Sequence, residues 1–185
     1  MPSMIKIVKD TQKSLRAPCA EVALPLSAED KATIDEMLQY LKDSQDEEYR
    51  KAHPEVREGV GLAAPQIGIN KKMIVVYYPL DDKGNYVQLQ LVNPKIVVQS
   101  VKQCYLQAGE GCLSVDEEHE GHIYRANRID VKAIDAATGE EVKIVARGYD
   151  AIVLQHEIDH LSGILFYDRI DPKDPMKALP NAIAI

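Results

Sequence analysis

A chain of 185 residues, 45% of them hydrophobic, has the apolar mass for one packed domain and is not that of a disordered protein. Its 22 basic residues against 29 acidic ones give a formal net charge of −7, which excludes broad electrostatic binding to nucleic acid or to an anionic membrane. Three cysteines without framework spacing, and no apolar run of signal-peptide or membrane-spanning character, predict a cytoplasmic protein with free thiols.

In chain order, residues 4–8 alternate weakly and predict the start of an edge strand, and residues 14–18 predict a turn with a short helical piece. Ser27 is a strong helix start. Its hydroxyl can accept from a free N–H of the first turn, and Asp30 stands at the third position of a capping box. Ile34, Met37, Leu38 and Leu41 then recur at helical spacing, which predicts an amphipathic helix over about 28–44, packed on a sheet. Residues 45–58 are charged and unpatterned, and Pro54 stops any continuing helix. A solvated loop or frayed helix without chemistry is expected there, with His53 on the surface.

The segment Gly59-Val60-Gly61-Leu62-Ala63-Ala64-Pro65-Gln66-Ile67-Gly68 is different in character. Its small residues let a backbone approach another group closely, and its one polar side chain, Gln66, needs partners if buried. The glycine spacing is not that of a dinucleotide site. Residues 73–78 read as a strand ended by Pro79, and Asp82-Lys83-Gly84-Asn85 supplies the turn of a hairpin with 86–92. Asn93-Pro94 breaks that second strand and 95–98 resumes it. Further strands are expected over about 121–135 and 141–147. Beyond Ile164 there is no helical period, which leaves Leu165-Phe166-Tyr167 and the tail 182–185 as candidate strands. No repeat or linker interrupts the pattern, so residues 1–185 are expected to form a single α+β domain of mostly antiparallel sheet.

The densest chemistry lies in Gln155-His156-Glu157-Ile158-Asp159-His160-Leu161-Ser162-Gly163. On a helix, His156 and His160 stand one above the other and can share one divalent ion. Glu157 is turned by about 100° and reaches the open side of that ion as a general base. A catalytic ion of this kind needs a third protein ligand. Asp168, Asp171 and Asp174 read as loop residues, and His119 and His122 stand in an acidic run that reads as solvated. Phe166 fills the downstream slot where metalloendopeptidases carry a histidine.

Cys112, in Glu110-Gly111-Cys112-Leu113-Ser114, is the better candidate. A thiolate with two imidazoles and an open position is a recognised catalytic set, and it suits ferrous iron or cobalt as well as zinc. Cys19 and Cys104 read as buried structural thiols. The helix over 149–161 has Ile152, Val153, Leu154, Ile158 and Leu161 around its circumference, so it is expected to be central and enclosed by the sheets.

Residues 59–66, 110–114 and 155–163 resemble, in order, the three motifs of the peptide deformylases, and the likeness extends over about 59–168. The charged segment before the first motif and the non-helical C-terminus resemble the type II, Gram-positive branch. The type I enzyme ends in a long basic helix linked with ribosome docking, which this chain lacks.

The resemblance implies a bacterial metallohydrolase that removes the formyl group from the N-terminal formyl-methionine of new polypeptides and releases formate. It implies Cys112, His156 and His160 as ligands of one divalent metal, ferrous iron in the cell and zinc, nickel or cobalt in preparations. Hydroxide generated at that metal would attack the formyl carbon. Glu157 would take and return the proton, while the Gln66 amide and the Leu113 N–H would stabilise the oxyanion. Val60, Ile152 and Val153 resemble the methionine pocket, and Gly61 the place where the peptide adds as a strand.

The expected partners are formyl-methionyl nascent peptides and, at most transiently, the ribosome. No direct nucleic-acid or membrane contact is expected, and the resemblance implies a monomer. A zinc endopeptidase and a non-enzymatic metal-binding module are the competing readings. The first lacks its downstream ligand, and the second has no use for Glu157 or Gln66.

Overall fold

A computed structural model describes residues 5–185. Strands β1 (Gly61–Ala63), β2 (Met73–Pro79), β3 (Tyr86–Gln99), β6 (Arg128–Asp135) and β7 (Glu141–Arg147) form a five-stranded sheet in the order β1-β2-β3-β6-β7, antiparallel throughout. Strands β4 (Gln103–Tyr105), β5 (Arg125–Ala126) and β8 (Ile183–Ala184) form a smaller sheet in the order β5-β4-β8. There β8 runs parallel to β4.

Side chains of β2 alternate between two cores, as the two-residue period of a strand requires. Ile74 and Val76 pack with Leu91, Ile129 and Val131 against helix α3 (Tyr149–His160), through its Val153 and Leu154. Met73 and Val75 pack on the opposite side with Ile34, Met37, Leu38 and Leu41 of helix α1 (Ala28–Gln45). A strand covered on both faces reads as a continuous apolar run, which is how residues 73–78 appear in the sequence. α3 is the central buried helix expected, and Tyr78 ties it to β2 by donating to the Asp150 carboxylate.

The start of α1 forms the Ser27 half of the expected capping box, while the Asp30 carboxylate binds the Ser27 hydroxyl in place of its backbone N–H. Ser27 Oγ accepts from Asp30 N at 3.0 Å and donates to the Asp30 carboxylate at 2.8 Å. The same carboxylate receives Lys71 Nζ at 2.5 Å. Ser27→Ala should therefore destabilise the fold by about 1 kcal/mol, read as a lower urea midpoint with an unchanged slope.

Several elements differ from expectation. Residues 5–8 join no sheet, although Val8 N donates to Gln66 O at 2.8 Å; residue 4 lies outside the described residues. The charged segment after α1 contains a short helix, α2 (Glu47–Ala52), because Asp46 accepts from Tyr49 N at 3.0 Å and caps it. Asn93-Pro94 does not end the second hairpin strand. β3 runs through it on a bulge, with Asn93 at φ 51° and a register shift between Val92 and Lys95. The Asn93 side chain replaces the interrupted ladder by accepting from Val22 N at 2.8 Å and donating to Val22 O at 3.0 Å.

Residues 121–124 are not strand, and pairing begins only at Arg125. Residues 165–167 do not form a strand either; Phe166–Arg169 is a 3₁₀ turn. Asp168 folds back to accept from Leu165 N at 2.8 Å and binds Arg16 at 2.5 Å, which consumes the polar groups a strand would have used. Arg16 closes a second 3₁₀ turn, Lys13–Arg16, where a turn with a short helical piece was expected. The tail does pair as a strand: Ile185 N donates to Tyr105 O at 2.9 Å beyond β8. Cys19 and Cys104 are both buried, Cys19 within the apolar core beneath α3. Among the described residues no helix is long and apolar enough to cross a membrane.

Candidate active site

α3 carries His156 and His160 on one face, with ring centroids 5.1 Å apart. The loop between β4 and β5 brings Cys112 to them. That loop makes a tight turn in which Val115 N donates to Cys112 O at 3.1 Å. Cys112 Sγ lies 3.4 Å from His160 Nε2, and one ligand atom from each of Cys112, His156 and His160 lies within 4.8 Å of the others. A tetrahedral ion with bonds of 2.0–2.3 Å needs donors roughly 3.3–3.8 Å apart; the Cys112–His160 pair is already at that spacing. One thiolate and two imidazoles clustered in this way are a donor set suited to a divalent ion of the zinc or ferrous type, with a fourth position left to water or substrate.

The end of α3 is fixed by local packing. A Cβ at Gly163, which has φ 72°, would lie 2.5 Å from the Arg16 carbonyl oxygen, so the chain after the helix passes that turn only as glycine. Gln155 clamps α3 to β5: its Nε2 donates to Ala126 O at 2.8 Å, and its Oε1 accepts from Ala126 N at 3.1 Å.

Gln66 is buried in a 3₁₀ turn, Ala64–Ile67, directly after β1. Its Oε1 accepts from Ala63 N at 2.8 Å, which fixes the amide orientation. The NH₂ group therefore faces Cys112 Sγ and Ser114 Oγ, each at 3.3 Å. Leu113, next to Cys112, is buried with its side chain against Gly59.

Glu157 is 4% exposed, and its Oε2 has no hydrogen-bond partner among the described residues. Burial raises its pKa to about 7 against the lowering influence of His156 and Arg125. A Cβ at Gly61 would lie 2.3 Å from Glu157 Oε1, so the bare backbone of β1 leaves the room this carboxylate occupies. Burial also holds His160 well below the ordinary imidazole range, in the neutral form that can ligate.

A cavity of about 350 Å³ opens beside these groups. Val60, Gly61, Ile152 and Val153, the expected pocket residues, all line it, together with Gln66, Cys112, Leu113, His156 and Glu157. Leu106 and Tyr149 complete its apolar wall. His119 and His122 lie elsewhere. His119 stacks on Tyr167 at 4.2 Å, and His122 Nδ1 lies 3.2 Å from Tyr124 OH. Asp168 is engaged with Arg16, and Asp171 accepts from the Lys173 and Asp174 N–H groups.

Several polar residues around the site carry no role in the sequence reading. Arg57 comes from the segment expected to be without chemistry, yet its Nη2 donates to Cys112 O at 2.5 Å and Val115 O at 3.1 Å, bracing the cysteine turn. Glu110 accepts from His156 Nδ1 at 2.9 Å and from Arg125 Nε and Nη2 at 2.7 and 2.8 Å. Burial raises the Glu110 pKa, but the His156 and Arg125 hydrogen bonds outweigh it and hold the group at about 2. Arg125 Nη1 reaches Asp159 at 2.9 Å, and Asp159 is bound on its outer side by Arg169 through two contacts of 2.6 Å. The available signals were a cation among apolar residues at Ile123-Tyr124-Arg125-Ala126 and acidic residues inside two of the motifs.

Comparison with known proteins agrees with this geometry. The family model described as polypeptide deformylase matches residues 4–176. A peptide deformylase of Macrococcus caseolyticus is 51% identical over 185 residues, covering 100% of both chains. Peptide deformylase 2 of Geobacillus stearothermophilus is 48% identical, covering 100% of this chain and 99% of that one. Among solved structures, a Met-Ala-Ser-bound peptide deformylase of Acinetobacter baumannii superposes with a TM-score of 0.70 at 31% identity, covering 92% of this chain and 100% of that one. With a matched family model over nearly its whole length and a full-length relative at this identity, the chain belongs to the polypeptide deformylase family.

Proposed function

We propose that the chain hydrolyses the formyl group from the N-terminal formyl-methionine of nascent peptides, releasing formate and a free amine, at the centre formed by Cys112, His156 and His160. Family membership carries the coarser statement, a hydrolase acting on formylated peptides. The observation that carries the finer one is the position of Glu157, a buried carboxylate with an unpaired oxygen beside both the Cys-His-His cluster and the apolar cavity.

Cys112, His156 and His160 would hold one divalent ion, ferrous in the cell and replaceable by zinc, nickel or cobalt. When bound, that ion supplies Lewis acidity, which polarises a carbonyl and acidifies water. Glu157 takes the proton of the attacking water and delivers it to the leaving nitrogen as the C–N bond breaks. The Gln66 NH₂, held by its own Oε1, and the Leu113 N–H stabilise the charge that develops on the formyl oxygen. Val60, Ile152 and Val153 receive the unbranched methionine side chain, while Gly61 lets the peptide backbone lie along β1.

In this reading residues 1–185 act as one catalytic domain. It is a monomer that works in the cytoplasm on nascent chains, meets the ribosome at most transiently, and makes no direct nucleic-acid contact.

The test is formate release by anaerobically purified protein from formyl-Met-Ala-Ser, against acetyl-Met-Ala-Ser and the unmodified tripeptide. Formate is expected from the first alone, and cleavage of an internal peptide bond would contradict the reading. Gln66→Leu keeps the side-chain volume but removes one oxyanion donor, and should lower kcat by about 10²–10³-fold. Steady-state kinetics on metal-loaded protein would show it. Gly61→Ala pushes a methyl group into the Glu157 carboxylate. It should cost about 10²-fold in kcat/KM while metal content stays at one equivalent, and full activity would show that the close approach has no catalytic weight.

A further inference from the structure

The charged residues behind His156 form a closed ring that the proposed reaction does not use. His156 donates to Glu110, Glu110 binds Arg125, Arg125 binds Asp159, and Asp159 returns to α3 on the face of His156, since residues three apart on a helix are neighbours. The ring is nearly dry: the Arg125, Glu110 and Asp159 side chains are 2%, 4% and 12% exposed. Burying charges of this kind is costly, and well-packed apolar residues of similar volume serve stability as well. Fold stability alone therefore does not account for it.

What the ring does provide is orientation. An ionised carboxylate only accepts hydrogen bonds, so Glu110 requires the proton of His156 to sit on Nδ1 and leaves the Nε2 lone pair for the side facing Cys112. Glu110 also stands two residues before Cys112 in the same loop. One carboxylate thus ties the cysteine loop to the helix that carries both histidines. The bidentate grip of Arg125 fixes that carboxylate, and Asp159, held from outside by Arg169, fixes Arg125.

We propose that Glu110 is a positioning residue for the metal centre, holding His156 as the Nδ1–H tautomer and keeping Cys112 in register with α3, with Arg125 and Asp159 as its support. The inference rests on the Cys112, His156 and His160 metal reading. Partners of this kind typically affect metal affinity by 10–100-fold.

The test is cobalt(II) titration of the metal-free full chain, with affinity from chelator competition and the visible cobalt spectrum as a second readout. E110L should raise the cobalt dissociation constant by about 10–100-fold and shift the spectrum. E110Q, whose amide oxygen can accept the same hydrogen bond, should recover part of the loss. E110L strands a buried guanidinium and can misfold; E110L/R125M replaces both charges with apolar side chains and should fold, yet still bind cobalt weakly. A folded E110L or E110L/R125M protein that binds cobalt within twofold of wild type, with an unchanged spectrum, overturns the inference. A wild-type chain that binds no cobalt overturns the metal reading itself, and the ring's role with it.

Discussion

Replacing Glu157 by alanine should leave one equivalent of metal bound and lower kcat by about 10²–10⁴-fold, the range of a positioned general acid–base. The carboxylate is not one of the three clustered donors, so the ion keeps its protein ligands. It stands at the cavity wall, leaving the apolar surface formed by Val60, Ile152 and Val153 unchanged. KM for formyl-Met-Ala-Ser should therefore move little, the pattern of an interaction made in the transition state. Stability should hold or rise, because the substitution removes a buried carboxylate that carries an unpaired oxygen. A thermal melt, metal analysis and steady-state kinetics on one preparation would check all three. Wild-type turnover in a metal-loaded Glu157→Ala protein would remove Glu157 from the mechanism.

Cys112→Ala should act at a different level and abolish metal retention. Two imidazoles alone leave the ion short of the three protein ligands a catalytic site requires. The loss in affinity should exceed the 100-fold upper range seen for residues that merely orient ligands. The turn itself should survive, since Arg57 and Val115 both bond to the Cys112 carbonyl and not to its side chain. The expected protein is folded, metal-free after dialysis and without formate release. Retention of one equivalent of metal with full activity would show that the thiolate is not a ligand.

His156, Glu157 and His160 share one helix, so their relative placement follows from helical geometry, and the apolar circumference of 149–161 already places that helix inside. Gln66 stands out as the single polar side chain among small residues, and its need for partners when buried is met in the fold by the Ala63 N–H. α1 is legible almost to its ends, because a capping serine and a regular apolar stripe are both local signals; it runs Ala28–Gln45 against an expected 28–44.

What was not legible depends on distant partners. The Asn93 bulge is held by Val22, 71 positions away, so the local letters read as a strand break. The 165–167 segment curls because Asp168 meets Arg16, 152 positions away. Arg57 lies in a run that looks uniformly solvated, and only the fold carries it to the Cys112 turn, 55 positions along the chain. Glu110, Arg125 and Asp159 have no role assigned from the sequence, because nothing local links a residue of the cysteine loop, a cation of β5 and an acid of α3. Their burial is affordable only as a set, and the set exists only in three dimensions.

X-ray absorption at the metal edge of the active, formate-releasing protein tests the account most directly. It predicts one sulfur scatterer at about 2.3 Å and two imidazole nitrogens at about 2.0–2.1 Å, with the sulfur absent from any metal added back to Cys112→Ala. A shell without sulfur in protein that still releases formate from formyl-Met-Ala-Ser would contradict it.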